Sequence, residues 1–179
     1  VWKVAKQVEN YNVNKIVIVS PLMVDDFPTS CLLSEKSRIS FNTILADKVQ
    51  IVCDETSIVT IEDDVFIQEG TVILASNNSC VYIGSETIIG KKSFILVDEN
   101  SMVWISQNAE VGKRVHIKCT ESSKIFLKEK VEIGENTTIG VQKNSQTQIE
   151  NGVCIGTNSI VACIDNSLLH LGEYVRIGR

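Results

Sequence analysis

A 22-residue repeat constrains the fold of this chain more than any other feature. Aliphatic residues recur at this interval, with no register break, at Val17, Ile39, Ile61, Ile83, Ile105, Leu127, Ile149 and Leu171. Self-similarity at a period between about 20 and 50 residues is typical of solenoids, in which each repeat buries its apolar side only against its neighbours. The sequence therefore predicts a regular rod of stacked coils.

Alternation within each repeat identifies the inward positions. Every repeat carries three pairs of aliphatic or small residues, and the two members of a pair are separated by one outward residue. In one repeat the pairs are Val103 with Ile105, Ala109 with Val111, and Val115 with Ile117. Each coil is thus predicted to contain three short strands, so the fold class is all-β, a single-stranded parallel β-helix with 22-residue coils.

Large aliphatic residues also recur in steps of six within a coil, as at Ile149, Ile155 and Val161. A glycine column follows the second strand, which predicts a corner with positive φ; its members are Gly90, Gly112, Gly134, Gly156 and Gly178. A coil of this length also suits right-handed β-helices. The step of six favours the left-handed form.

The third corner of each coil is longer and carries recurring Asn-Ser pairs. They are Asn78-Ser79, Asn100-Ser101, Asn144-Ser145 and Asn166-Ser167. Asn tolerates the left-handed backbone conformation, and both side chains can hydrogen-bond nearby backbone groups. This column is interpreted as a turn; a stacked polar ladder that binds a ligand is the alternative.

Composition excludes several classes of partner. The chain has 179 residues, which suits one domain, and 44% of them are hydrophobic. A net charge of −5 and the lack of a Lys/Arg cluster argue against nucleic acid or an anionic membrane as a partner. The sequence has no apolar run of about 18 residues and no basic flank before an apolar signal core, so we expect neither a membrane span nor an export signal.

The six cysteines do not form a metal motif, because no Cys-x-x-Cys pair or Cys/His metal spacing occurs. Four of them, Cys31, Cys53, Cys119 and Cys163, fall in one column of the 22-residue register. Small buried positions suit free thiols. We expect buried free thiols in a reducing, cytoplasmic setting, and a disulfide between Cys31 and Cys53 is the alternative.

The N-terminal part is the least regular. Apolar residues at helical spacing in residues 1–12 predict a short amphipathic helix that covers the open end of the solenoid; the tail of a preceding domain is the alternative. We predict an N-terminal cap and irregular first coil over residues 1–36, and a solenoid over residues 37–179. Because Arg179 falls in the middle of a turn, we expect the solenoid to be truncated there.

One outward column places Tyr82, Trp104 and Phe126 on successive coils, about 4.8 Å apart. The same column continues with Gln148 and His170. Stacked aromatic side chains would suit a carbohydrate platform or a subunit contact. A ladder that only stabilises the sheet is the third interpretation.

The first coils are apolar on the outside as well. One outward column contains Ile44, Phe66 and Ile88 before it changes to Glu110 and Glu132, and a neighbouring face carries Val52, Leu74 and Leu96. Such a patch is too large to leave in water. It predicts cover by the first helix, by another domain or by another subunit.

Only two histidines are available for acid/base chemistry, His116 and His170. Both fall at outward positions on different faces, so they do not form one pair within a chain. Each is a candidate catalytic base, and an exposed non-catalytic histidine is the alternative for each. The sequence contains no Gly-x-Ser-x-Gly, Walker-type or Gly-x-Gly-x-x-Gly motif.

Two segments, VYIGSETIIG at residues 81–90 and VEIGENTTI at residues 131–139, resemble the hexapeptide-repeat acyltransferases. This is a left-handed β-helix family, and the resemblance is to its bacterial sugar and capsule O-acetyltransferases, over about residues 37–179. It implies a trimer with acetyl-CoA as co-substrate in a groove between neighbouring subunits, no covalently bound cofactor, and a histidine that deprotonates a sugar hydroxyl. His116 and His170 match the catalytic histidine only in residue type.

Two functions follow from these observations. The chain is expected to be the solenoid part of an acetyl-CoA-dependent O-acetyltransferase that acts on a sugar or a bacterial surface polysaccharide. The alternative is a non-catalytic β-solenoid that scaffolds or oligomerises a larger polysaccharide-assembly protein.

Overall fold

The computed structural model describes residues 30–178, where the chain forms short β-strands and no helix. The helix predicted over residues 1–12 lies outside the described residues. In chain order the strands are β1 (Ser30–Leu32), β2 (Arg38–Ile39), β3 (Ile44–Leu45), β4 (Gln50–Cys53), β5 (Ile58–Ile61), β6 (Phe66–Ile67), β7 (Val72–Ala75), β8 (Cys80–Ile83), β9 (Ile88–Ile89), β10 (Phe94–Val97), β11 (Met102–Ile105), β12 (Glu110–Val111), β13 (His116–Cys119), β14 (Lys124–Leu127), β15 (Glu132–Ile133), β16 (Thr138–Val141), β17 (Gln146–Ile149), β18 (Cys154–Ile155), β19 (Ile160–Cys163), β20 (Leu168–Leu171) and β21 (Arg176–Ile177).

Every third strand belongs to the same sheet, so residues 30–178 wind around three faces of seven strands each. Face A starts with β1 and ends with β19, face B runs from β2 to β20, and face C runs from β3 to β21. Neighbouring strands are parallel, and beyond the first coil their Cα partners are related by the 22-residue repeat, as for Trp104 and Phe126. This confirms the all-β solenoid with 22-residue coils, whereas its left hand stays a prediction.

The first coil departs from the predicted register. Cys31 pairs with Ile51 instead of Cys53, while Ile39 pairs with Ile61 in the usual register. The corner between β1 and β2 is therefore two residues shorter than the corresponding corner of the next coil, between β4 and β5. Buried Leu33 and Ser34 fill it, and the Ser34 hydroxyl donates to the Ser57 carbonyl at 2.6 Å. The expectation that the 22-residue register is unbroken, with Cys31 in the column of Cys53, is wrong at this coil.

The core is one continuous stack of inward columns. The predicted inward side chains of the middle coils, including Val103, Ile105 and Ile117, are fully buried. Cys53, Cys119 and Cys163 lie in one inward column of face A, and all six cysteines are free thiols. The expected buried free thiols are confirmed in the four cysteines named for that role. No membrane-spanning helix is found between residues 30 and 178.

The Asn-Ser corner is a turn, as predicted. Asn78, Asn100, Asn144 and Asn166 all have positive φ, between 55° and 64°. The serine that follows has a further function, because its hydroxyl accepts a hydrogen bond from the serine N–H of the next coil. Ser101 N–H donates to Ser79 at 3.3 Å, and Ser145 N–H donates to Ser123 at 3.1 Å. The corner therefore links successive coils as well as turning the chain.

The glycine column has a different cause from the predicted one. Gly90, Gly112, Gly134 and Gly156 do not have positive φ; the left-handed residues lie two positions later, at Lys92, Arg114, Asn136 and Asn158. A Cβ built on Gly134 would lie 2.5 Å from the Thr157 nitrogen and 2.6 Å from the Gly156 carbonyl carbon. Glycine is required at Gly90, Gly112 and Gly134 because backbone atoms of the next coil lie within 3.0 Å of their Cβ positions. Only Gly178 in this column has positive φ, at 75°.

We expect Gly134→Ala to destabilise the chain by about 1 to 3 kcal/mol, the usual cost of forcing extra atoms into packed structure. Gly140→Ala is the matched control, since nothing lies within 4 Å of its Cβ position. The control should be neutral, or stabilising by up to about 1 kcal/mol, because alanine restricts the unfolded chain. Urea unfolding followed by circular dichroism measures both. Equal losses of stability in the two variants would contradict the close-approach explanation.

The buried thiols predict a pH dependence. Burial raises the pKa of the Cys31 thiol to about 11 and that of Cys119 to about 12, from an ordinary value of 9.0. Above about pH 9 the unfolded state loses these protons while the folded state keeps them. The free energy of unfolding is therefore expected to fall above pH 9, by up to about 1.4 kcal/mol per pH unit for each thiol.

Cys119→Val isolates one of these thiols. Valine fits the position, because the Cα partners of Cys119 are Val97 and Val141. We expect the variant to lose less stability than the wild type between pH 9 and pH 11 in urea unfolding series at fixed salt. Parallel curves for the two proteins would show that this thiol does not contribute.

Candidate functional site

His170 lies on the outside of face B, in β20, and is exposed. Its Nε2 atom lies 3.1 Å from Oε1 of Glu150, in the turn that follows β17 of the preceding coil. The exposed fractions of the two side chains are 56% for His170 and 19% for Glu150. The imidazole is therefore accessible, while the carboxylate that contacts it is held against the surface.

Glu150 has a second contact that fixes its charge. The Gln148 amide donates to the same Oε1 atom, and this hydrogen bond, followed by the one from His170, lowers the pKa of the Glu150 carboxyl. An ionised carboxylate only accepts hydrogen bonds, so the His170 Nε2 atom must carry a proton. In the neutral imidazole the lone pair then resides on Nδ1. This arrangement of a base oriented by a carboxylate is the one used in general base catalysis.

His116 has different surroundings. It is exposed on face A in β13, where its ring lies edge-on to Phe94 with centroids 6.2 Å apart. His116 and His170 belong to different sheets, so the structure does not bring the two candidate bases together. Of the two, His170 has the oriented contact with a carboxylate.

The aromatic column on face B is partly a stack of rings. Tyr82 and Trp104 have ring centroids 3.9 Å apart and planes inclined by 18°, and Phe126 is the next Cα partner along the column. Tyr82 and Trp104 each cover one ring face of the other. The ladder therefore exposes mainly ring edges to solvent and does not form an open, flat platform. Gln148 and His170 continue the same column, so the ladder leads directly to the His170–Glu150 pair.

Sequence reasoning missed Glu150. The residue follows Gln148 by two positions, so it lies in the outward column next to that of Gln148 and His170. Residues of adjacent columns in neighbouring coils can touch across the turn, as Gln148, Glu150 and His170 do here. A search that compared adjacent columns of neighbouring coils, as well as single columns, would have found the pair.

A groove lies elsewhere, on face C. It has a volume of about 750 Å³, and its lining includes Ile88, Glu110, Glu132, Cys154 and Arg176. Cys154 donates to Glu132 across 3.3 Å; burial and then this carboxylate raise the pKa of its thiol, so it stays protonated at neutral pH. A protonated thiol is a poor nucleophile. The groove contains no histidine, and residues 30–178 contain no group of three or more His, Cys, Asp or Glu side chains that could hold a metal.

Comparison with known proteins gives similar solved structures, whereas no protein-family model and no curated protein matches the chain. A variant of GDP-perosamine N-acetyltransferase from Caulobacter crescentus, solved with CoA and GDP-perosamine, has 19% identity and a TM-score of 0.32, and the match covers 85% of this chain and 55% of that one. A second variant of this enzyme, also with CoA and GDP-perosamine, has 18% identity, a TM-score of 0.32, and coverage of 85% and 52%.

UDP-N-acetylglucosamine acyltransferase from Francisella novicida has 12% identity and a TM-score of 0.22, with 82% of this chain and 63% of that chain covered. The chain thus spans about half the length of the N-acetyltransferases it matches. With TM-scores this low, these similarities do not assign an activity to the chain, and its function has to be inferred from its own residues.

Proposed function

We propose that this chain is the solenoid part of an acetyl-CoA-dependent O-acetyltransferase that acts on a sugar or a surface polysaccharide. The observation that carries the proposal is the oriented contact of His170 with the ionised Glu150 on the outside of face B. The family resemblance adds the acyl donor and a trimeric assembly. The free buried thiols support a reducing, cytoplasmic setting.

His170 is assigned the role of general base. Its Nδ1 atom takes the proton from the acceptor hydroxyl, whose oxygen forms a bond to the carbonyl carbon of the acetyl thioester. The carbon–sulfur bond then breaks, and the CoA thiolate takes the proton back from the imidazolium and leaves as a thiol. Glu150 acts as a positioning residue, because it holds the tautomer and stabilises the imidazolium while it exists.

The aromatic column is assigned to the acceptor. Tyr82, Trp104 and Phe126 lie along the same column as His170 and form an apolar strip along which a sugar chain parallel to the solenoid can lie. The amide of Gln148 lies between the last aromatic ring and His170 and can hydrogen-bond sugar hydroxyls.

One observation favours a second function, a non-catalytic scaffold in a polysaccharide-assembly protein. The His170–Glu150 pair lies on an open face, whereas the groove of about 750 Å³ lies on face C. Ligand sites are usually concave, and a base on a flat surface is poorly shielded from water. The scaffold hypothesis predicts no acetyl transfer by this chain under any conditions.

We expect His170→Ala to lower kcat/KM for acetyl transfer by about 10²- to 10⁴-fold, the usual contribution of a general base. Glu150→Gln should lower kcat with little change in KM, because it acts through His170. The assay is mass spectrometry of acetylated product from acetyl-CoA and a panel of hexoses, hexosamines and oligosaccharides. Release of the acetyl group by mild alkali distinguishes an ester from an amide.

His116→Ala is the matched control, since His116 is an exposed histidine that contacts no carboxylate of residues 30–178. It should keep wild-type turnover. Equal loss in His116→Ala and His170→Ala would overturn the assignment of the base, and no acetyl-CoA turnover by the wild-type chain would favour the scaffold.

A further inference from the structure

We propose that copies of this chain associate through two different faces, with the outward column of face A packed against the outward column of face C of the next copy. The proposal rests on the homo-oligomer of the proposed function but not on acetyl transfer. The contact is defined by these two surfaces, their relative direction and their register.

The face A column is apolar in its first half. Leu32, Val52, Leu74 and Leu96 follow one another on successive coils; Leu32 is 36% exposed and the next three are half-buried. The next member of the column is Lys118, which is exposed, and small residues follow at Gly140 and Ala162. The column thus changes from apolar to cationic between Leu96 and Lys118.

The face C column has the same division with the opposite charge. Ile44, Phe66 and Ile88 lead it, and Ile44 and Ile88 are 59% and 37% exposed. Glu110 and Glu132 follow, and both are exposed; the column ends with Cys154 and the exposed Arg176. This column changes from apolar to anionic between Ile88 and Glu110.

The two changes occur at the same height along the solenoid. Strand β12, which carries Glu110, leads through one corner into β13, which carries Lys118, so these residues belong to the same winding of the chain. A second copy with a parallel axis and no shift along it would set Leu74 and Leu96 against Phe66 and Ile88. The same placement sets Lys118 between the levels of Glu110 and Glu132. Apolar surface then meets apolar surface, and a cation meets anions.

Other arrangements of two copies lack this match. Face A against face A with parallel axes places Lys118 opposite Lys118, and face C against face C places Glu110 opposite Glu110. Inverting one copy sets the charged half of a column against the apolar half of the other. Like charges across an interface, and charges buried without a partner, are unfavourable. An interface between two different surfaces is heterologous, and with parallel axes it can close into a ring.

The test uses one variant for each surface, Leu74→Asp on face A and Phe66→Asp on face C. Light scattering coupled to gel filtration should give the wild type a mass that is a multiple of the 19.8 kDa chain, and each variant alone the mass of one chain. An equimolar mixture should form a complex of two chains, because each variant retains the surface that the other has lost. Circular dichroism verifies that both variants are folded.

Several outcomes would overturn the proposal. They are a wild type with the mass of one chain, a Phe66→Asp variant that keeps the wild-type mass, a Leu74→Asp variant that keeps it, and a mixture in which no two-chain complex forms. The second and third outcomes would indicate that only one face, or neither, takes part.

A charge exchange tests the register without adding charges to the apolar halves. We expect Lys118→Glu, and Glu110→Lys combined with Glu132→Lys, each to weaken association about tenfold or more, and the variant with all three changes to recover most of the loss. Lys124→Glu on face B is the control and should associate as the wild type does, since Lys124 is exposed on a face outside the interface. Failure of the triple variant to recover would overturn the parallel, in-register arrangement.

The same measurements separate the interface from the proposed catalytic function. His170→Ala should keep the wild-type mass while it loses acetyl transfer. A single-chain wild type that transfers acetyl groups would overturn the interface alone, and an oligomer with the expected variant behaviour but no transfer would overturn the enzyme alone.

Discussion

The parallel pairing of each coil with the next is the interaction on which the rest of the structure depends. Phe94 N–H donates to the Val115 carbonyl at 2.9 Å, and Glu110 N–H donates to the Val131 carbonyl at the same distance. Because paired strands are related by the 22-residue repeat, a residue type that recurs at this interval becomes a continuous column of side chains. Each coil contacts only its neighbours, so columns, rather than distant contacts, determine both the core and the surface.

The corners show how closely side chains follow this pairing. Each buried serine of the third corner accepts a hydrogen bond from the next coil, so removing one hydroxyl would leave a buried N–H unpaired, at a cost of about 1 to 3 kcal/mol. Thr147 is the counterexample, because its buried hydroxyl has no hydrogen-bond partner among residues 30–178, in a column that elsewhere contains Val103 and Ile125. Polar groups are tolerated inside this solenoid mainly where the next coil provides a partner for them.

The sequence was sufficient for the inward columns, since alternation depends only on side-chain direction along a strand. The sequence was insufficient where the distance between atoms of neighbouring coils determines which residue fits or which residues touch. The residue type at Gly134 does not reveal that the backbone of the next coil lies within 2.6 Å of a Cβ position, so the glycine column was explained by φ instead. The irregular first corner was missed because Ile39 and Ile61 keep the 22-residue spacing while Cys31 does not. The contact of Glu150 with His170 was missed because the two belong to adjacent columns.

In a solenoid this regular, a binding or catalytic site has to come from outward columns whose residue type changes along the rod. The face B column changes from stacked aromatic rings to Gln148 and His170, and the columns of faces A and C change from apolar to opposite charges. These changes lie on different faces, so they do not compete for the same surface. Association through faces A and C would leave face B around the outside of the ring, with His170 and the aromatic ladder accessible. A long acceptor could therefore reach the base without entering the assembly.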